Sequence, residues 1–216
     1  MSRSILVSIT ALGTADTDRT GIMLLRSGTI LASLLGVLLM SLSCRTETKD
    51  TAEARSPWDT LPVLRVVSSF KGIDQDSATF TAEAMKGRAW LASFFFSRCG
   101  SVCPALNSVL SGVYREFSGK VSFVSLTSDP EFDTPSVLHE YAGRYGAQRS
   151  TWAFVNLPLD SMISVSSNDL GLVSPTNPDL HSTRFVLIDT AMQVRGYFDS
   201  ADPTDVEKLR GILKAL

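Results

Sequence analysis

Two cysteines, Cys99 and Cys103, are the residues of this chain best suited to chemistry. They are separated by Gly100, Ser101 and Val102, and Pro104 follows. Residues 89–96, Ala-Trp-Leu-Ala-Ser-Phe-Phe-Phe, form an apolar run with the length and aromatic content of a buried strand. Beyond the cysteines, Leu106, Val109, Leu110, Val113 and Phe117 recur at helical spacing. The thiols therefore lie at a strand-to-helix switch, with at least Cys103 near a helix N-terminus. The partial positive charge there favours thiolate over thiol. Thiolates serve redox chemistry or bind a soft metal. Redox motifs of the thioredoxin type have two intervening residues, whereas this pair has three. On a helix that separation sets two side chains on one face, one turn apart. The sulfurs can then converge on a metal ion as well as on each other. Two soft thiolates suit Cu(I), and an imidazole completes a three-coordinate site that also serves Cu(II).

Other ligands are scarce. The remaining cysteine is Cys44, and the histidines are His139 and His181. His181 is the candidate third ligand, placed after a Pro-rich loop and before a predicted strand. The competing reading makes it a capping or surface histidine. His139 sits mid-helix, off the face of Val137, Leu138 and Tyr141, and is read as solvent-exposed and non-functional. The cysteine pair also admits a structural disulfide, common in secreted proteins. A bridge closing so small a loop, however, constrains the unfolded chain little. Asp129-Pro130 and Asp133-Thr134 are explained by a turn followed by a helix N-cap. The alternative is that Asp129 and Asp133 support the thiols from behind.

The elements that must hold these residues follow from pattern. Short strands are expected over 62–70 and 77–84, around a turn at Lys71-Gly72-Ile73-Asp74. The 89–96 strand and its helix come next, then a second buried strand over 120–127. Thr134-Pro135 reads as an N-cap with proline in the first turn, and Gly146 ends that helix. Residues 152–157 form a strand, 160–170 a weak helix and 171–180 a loop. Strands over 184–188 and 193–198 form a hairpin, and 204–216 a terminal helix with Val206, Leu209, Leu213 and Leu216 on one face. The alternation predicts an α/β fold: a mixed central sheet with helices on both faces and a C-terminal hairpin plus helix.

The N-terminal part has another character. Residues 29–42 are almost wholly Leu, Val, Ala, Ser, Gly and Met, with Arg26 ahead and Cys44 behind. That is the pattern of a bacterial lipoprotein signal, in which the cysteine is lipidated. Ser41 stands where such signals usually carry leucine. An uncleaved membrane anchor is the alternative, although a spanning helix needs about 20 apolar residues. Residues 1–22 read as a doubtful extension ahead of a start at Met23, with 23–43 the signal or anchor, 44–60 a flexible tether and 61–216 the folded domain. The expected location is the extracytoplasmic face of a bacterial membrane. A net charge of −2 with no basic stripe argues against nucleic acid as a partner.

Taken together, these residues resemble the Sco (SenC/PrrC) copper proteins. The likeness rests on Phe95-Phe96-Ser97-Arg98-Cys99-Gly100-Ser101-Val102-Cys103-Pro104, on Asp129-Pro130-Glu131-Phe132-Asp133-Thr134, on Trp152, and on His181-Ser182 ahead of Leu187-Ile188-Asp189. The resemblance implies a thioredoxin-like fold, membrane tethering, and one copper per domain bound by Cys99, Cys103 and His181. It also implies a role in assembling the dinuclear copper centre of cytochrome c oxidase, by copper delivery, thiol reduction, or both. The partner would be the oxidase subunit holding that centre or another copper protein. Gly100 departs from the family's usual proline. A thiol-disulfide oxidoreductase using a Cys99–Cys103 redox pair is the second reading.

Overall fold

The computed structural model describes residues 56–172 and 182–216, which exclude the signal segment, Cys44 and His181. Eight strands form one sheet: β1 (Arg65–Val66), β2 (Lys71–Asp74), β3 (Thr79–Thr81), β4 (Trp90–Phe95), β5 (Ser122–Thr127), β6 (Trp152–Asn156), β7 (Arg184–Ile188) and β8 (Gln193–Asp199). Their order is β1-β8-β7-β4-β5-β6-β2-β3. The helices are α1 (Val102–Phe117), α2 (Pro135–Arg144), α3 (Leu159–Ser164) and α4 (Pro203–Ala215). Among the described residues no helix is long and apolar enough to cross a membrane.

β4, β5 and β6 run parallel, while β7 is antiparallel to β4 and β2 is antiparallel to β6. Every residue of β4 is buried, as expected of a central strand covered on both faces. Alternation along the strand splits the core in two. Leu91 and Phe95 point into one layer with Leu106, Leu110 and Val113 of α1, Leu138 and Tyr141 of α2, and Val206, Leu209 and Leu213 of α4. Trp90, Ala92 and Phe94 point into the other with Val67, Phe70 and Phe80, and with Met162 of α3. Helices thus cover both faces as anticipated, but the three long ones share one. The short α3 runs on into a π-helical turn, Val165–Asp169, on the other.

Two local expectations are corrected. Lys71-Gly72-Ile73-Asp74 is strand β2, not a turn, and the reversal comes at Asp74–Ser77, where the Asp74 carboxylate accepts the N–H groups of Asp76 and Ala78 at 3.0 and 2.9 Å. Gly72 is there because a Cβ would lie 2.6 Å from Leu157 Cδ2 and still closer to the Asn156 carbonyl. A glycine inside a strand marks such a close approach of backbones as readily as a turn. Secondly, ordered structure begins ahead of Leu61. Pro57–Thr60 forms a 3-10 turn whose Trp58 packs on the core. The predicted helix stop at Gly146, with φ +69°, is as expected.

Candidate metal centre

The thiols sit at the carboxyl end of the parallel strands. β4 ends at Phe95, the chain turns through Ser97-Arg98, and Cys99 follows. Its N–H donates to the Phe96 carbonyl at 3.1 Å. Cys103 is the second residue of α1 and is buried, 5% exposed, whereas Cys99 is half-exposed. Both are free thiols. The Cys103 N–H donates to Cys99 Sγ at 3.3 Å.

The two sulfurs have opposite electrostatics, and this reverses one expectation. It was Cys103 that the sequence placed in the helix-terminal field. Burial dominates there and pushes its thiol up to about 12, against the pull of the Phe96 N–H. The beneficiary of the helix N-terminus is Cys99. Burial raises its pKa too, but the N–H groups of Cys103, Ser101 and Val102, together with the Cys103 thiol, outweigh it and bring it below the ordinary thiol value. The reason is position: a sulfur just ahead of the first turn meets the unsatisfied N–H groups, while one inside that turn points into the core.

A buried carboxylate holds this loop. Asp133 is 0% exposed. It accepts the Ser97 N–H at 3.1 Å, the Ser97 hydroxyl and the Thr127 hydroxyl. The Thr127 hydroxyl in turn accepts the Asp129 N–H at 3.0 Å. Asp133 thereby ties the ends of β4 and β5 together two residues before Cys99. Thr134 does occupy the N-cap of α2, with Pro135 next, but its side chain makes no cap hydrogen bond. Asp129 faces outward and pairs with Arg98 at 2.5 Å, and the Arg98 guanidinium lies 4.3 Å from the Phe132 ring centre.

Ser97, Thr127 and Asn107 are polar partners that residue patterns alone did not single out. Asn107 is fully buried one turn beyond Cys103, and its Nδ2 donates to the Tyr141 hydroxyl at 3.2 Å. The available signal was its place, since a polar residue four positions after Cys103 falls on the same helix face. His139 is exposed, as read from sequence, and its Nδ1 lies 3.0 Å from Asp76 Oδ1.

Among the described residues, no three His, Cys, Asp or Glu side chains gather into a metal-sized group. The two cysteines themselves form a fitting soft pair, one turn apart and in contact. β7 runs antiparallel to β4, so its first residue, Arg184, with Ser182 and Thr183 just ahead of it, lies at the end of the sheet where β4 hands over to the cysteine loop. His181, the proposed third ligand, is outside the described residues.

With this geometry in view, comparisons with known proteins bear on the family. Residues 59–152 match the SCO1/SenC family model. The SCO1 protein homolog of Bacillus subtilis is 24% identical over 162 residues, spanning 71% of this chain and 84% of that protein. Alignments to SCO2-like proteins of Rickettsia span 57% or less of those proteins. The crystal structure of a SCO1/SenC family lipoprotein from Bacillus anthracis superposes with a TM-score of 0.64 at 25% identity, covering 72% of this chain and 96% of that one. ScoI of Bradyrhizobium japonicum, solved with copper bound, superposes with a TM-score of 0.56 at 21% identity, covering 70% and 99%. BsSco, with a TM-score of 0.62 at 23% identity over 71% of this chain and 94% of that one, is described as a member of the Sco family of cytochrome c oxidase assembly proteins with a disulfide switch. The thioredoxin-like fold that the sequence implied is the fold of these proteins.

Proposed function

From the match of residues 59–152 to the SCO1/SenC family model, we propose that the chain is a membrane-tethered, extracytoplasmic copper-binding protein that helps assemble the dinuclear copper centre of cytochrome c oxidase. Copper is its cargo, one ion per domain, held by Cys99, Cys103 and His181. Its partner is the oxidase subunit that receives the ion, or another copper protein. The observation that carries this reading is the pair of adjoining thiols at the α1 N-terminus. Cys99 is the outward, thiolate-favouring sulfur where an incoming soft ion makes first contact. Cys103 is the inner donor, and deprotonates only when a cation replaces its proton. Asp133 holds the loop so that the two sulfurs keep their spacing, and Asp129 steadies Arg98 beside it. The tether is the polar stretch that runs from Cys44 to the Pro57–Thr60 turn, attached through lipid on Cys44 or an uncleaved anchor.

The test is Cu(I) titration of the reduced protein and of its Cys99→Ala, Cys103→Ala and His181→Ala variants. Each variant is expected to lose tight binding. Unchanged affinity in His181→Ala removes that ligand from the set, and unchanged affinity in both cysteine variants removes the site.

The asymmetry of the thiols favours a second reading, a thiol-disulfide exchange protein. An exposed, activated Cys99 attacks a target disulfide, and the buried Cys103 then resolves the mixed disulfide, leaving a Cys99–Cys103 bond and a reduced target. Full reductase activity in His181→Ala without any copper defect would favour this over copper delivery.

A further inference from the structure

The surface beside Cys99 carries a preformed stack. Phe132 is 44% exposed, and the Arg98 guanidinium lies over its ring, 4.3 Å from the centre. Asp129 Oδ2 accepts from Arg98 Nε at 3.0 Å and from Nη2 at 2.5 Å. The turn under the stack is fixed in its own right. The Asp129 N–H donates to Thr127 Oγ1 at 3.0 Å, and the Asp129 carbonyl accepts the N–H groups of Phe132 and Asp133 at 3.2 and 2.9 Å. Ring, guanidinium and carboxylate are thus held as one unit beyond the end of β5, with Arg98 next in sequence to the half-exposed Cys99.

The unit leaves particular chemistry in solvent. A guanidinium has five N–H donors, Asp129 takes two, and the other three have no partner among the described residues. The Arg98 side chain is 58% exposed. Its charge is already met by Asp129, and Glu131 is exposed beside Phe132 in the chain, so the stack is not built to attract an anion. Free N–H groups and a flat apolar ring suit a polypeptide instead, through its backbone carbonyls and an apolar side chain. Beyond Cys99, Gly100 borders open space, since a Cβ there would meet nothing within 4 Å, and Val102 is 39% exposed at the start of α1.

We propose that the Arg98–Phe132 stack is the anchor on which the partner protein's sulfur-bearing segment docks, its backbone carbonyls taking the free Arg98 N–H groups and an apolar side chain lying on Phe132. The docking rests on the reading above, in which Cys99 passes copper to a protein or exchanges thiols with it. In either form the partner's sulfur comes to Cys99, within ~2 Å of Sγ for a disulfide and across one shared ion for copper. An interface of standard size covers ~800 Å² a side, a disc of ~16 Å radius. Centred on Cys99, that disc takes in Arg98 and the ring stacked on it. Within it the stack concentrates binding energy. Arginine and aromatic side chains are enriched where interfaces bind most strongly, and these two are already held, so docking orders little that was free.

The test offers two disulfides to the full chain in detergent, carrying Cys103→Ala so that Cys99 stays bonded to what it attacks. One is the small disulfide dithiodipyridine. The other is the soluble copper-binding domain of the oxidase subunit, with its site cysteines oxidised to a disulfide. In both, the Cys99 thiolate displaces one sulfur of the target as a thiolate and forms a mixed disulfide with the other. Mass spectrometry of the Cys99 peptide reads both rates, so Cys44 does not enter. The ratio of domain rate to dithiodipyridine rate should fall about tenfold with Phe132→Ala and about threefold with Arg98→Gln. Phe132→Tyr keeps the ring and should keep the ratio. An unchanged ratio in both Phe132→Ala and Arg98→Gln overturns this inference alone. So does a dimer of the chain in sedimentation that Phe132→Ala dissociates, since the stack then serves a second copy. A chain that reacts with dithiodipyridine, neither reduces nor binds the domain and passes it no copper overturns the partner reading and the docking with it.

Discussion

The two ends of the central sheet solve the same mechanical problem with opposite charges. At the carboxyl end the buried Asp133 carboxylate gathers Ser97 and Thr127 and pins the irregular loop before Cys99. At the amino end the buried Arg195 guanidinium gathers Trp58, Gln193 and Asp189 and pins the incoming chain. Among the described residues, only the carboxyl end also points a helix N-terminus at a polarisable atom. The lesson is that a buried charge with several hydrogen-bond partners makes a rigid junction, and chemistry appears where such a junction meets unsatisfied N–H groups and a sulfur.

The largest effect that would sharpen this contrast lies within the thiol pair. Thiolates alkylate and thiols do not, so at pH 8 Cys99 should react with iodoacetamide at least ~100-fold faster than Cys103. Peptide mass spectrometry after timed quenching reads both rates, and similar rates would break the assigned asymmetry. The accompanying pH dependence has a definite sign. A thiol raised to about 12 in the fold contributes stability in full below the ordinary thiol value, and that contribution is lost as pH climbs toward 12. Cys103→Ala should therefore flatten the alkaline fall in stability.

Next in size is Asp133→Ala. It leaves the Ser97 and Thr127 donors buried without their acceptor and should cost about 3–4 kcal/mol in urea unfolding, with weakened copper binding. An unchanged midpoint would show that the carboxyl-end junction holds nothing. Arg195→Met should cost less, about 2 kcal/mol, because Asp189 keeps the N–H groups of Ala191 and Gln193 as partners. Its mark should be local, with faster amide exchange over residues 57–61 and copper affinity unchanged. A copper effect there would mean that the two ends are coupled. The smallest expected effect is at Gly100, where a Cβ meets nothing within 4 Å and φ is not in the left-handed region. Gly100→Ala should change stability by less than about 0.5 kcal/mol. A larger loss would show that the loop needs glycine for a reason its geometry does not display.

Much of the carboxyl end was legible in advance. The apolar run, the helical stripe after it and the cysteines between them are local patterns, and local patterns dictate local elements. The same holds for Thr134-Pro135 opening α2, Gly146 ending it, and the β7–β8 hairpin. The amino end was less legible. Trp58 sits in a polar stretch that reads as tether, and its partner Arg195 is 137 positions away.

The amino-acid sequence by itself determined the order of strands and helices from β4 onward, the thiol pair at a strand-helix switch, and the likeness of that switch to the SCO1/SenC family. Periodicity and motif spacing are properties of neighbouring residues, so one chain suffices to read them. Only the tertiary structure decided that Lys71–Asp74 is a strand, since its pairing with β6 comes from residues some 80 positions away. It alone decided that Asp133 is buried beneath the loop. It alone decided which sulfur the helix N-terminus serves, because burial and N–H direction are set by what packs around each atom.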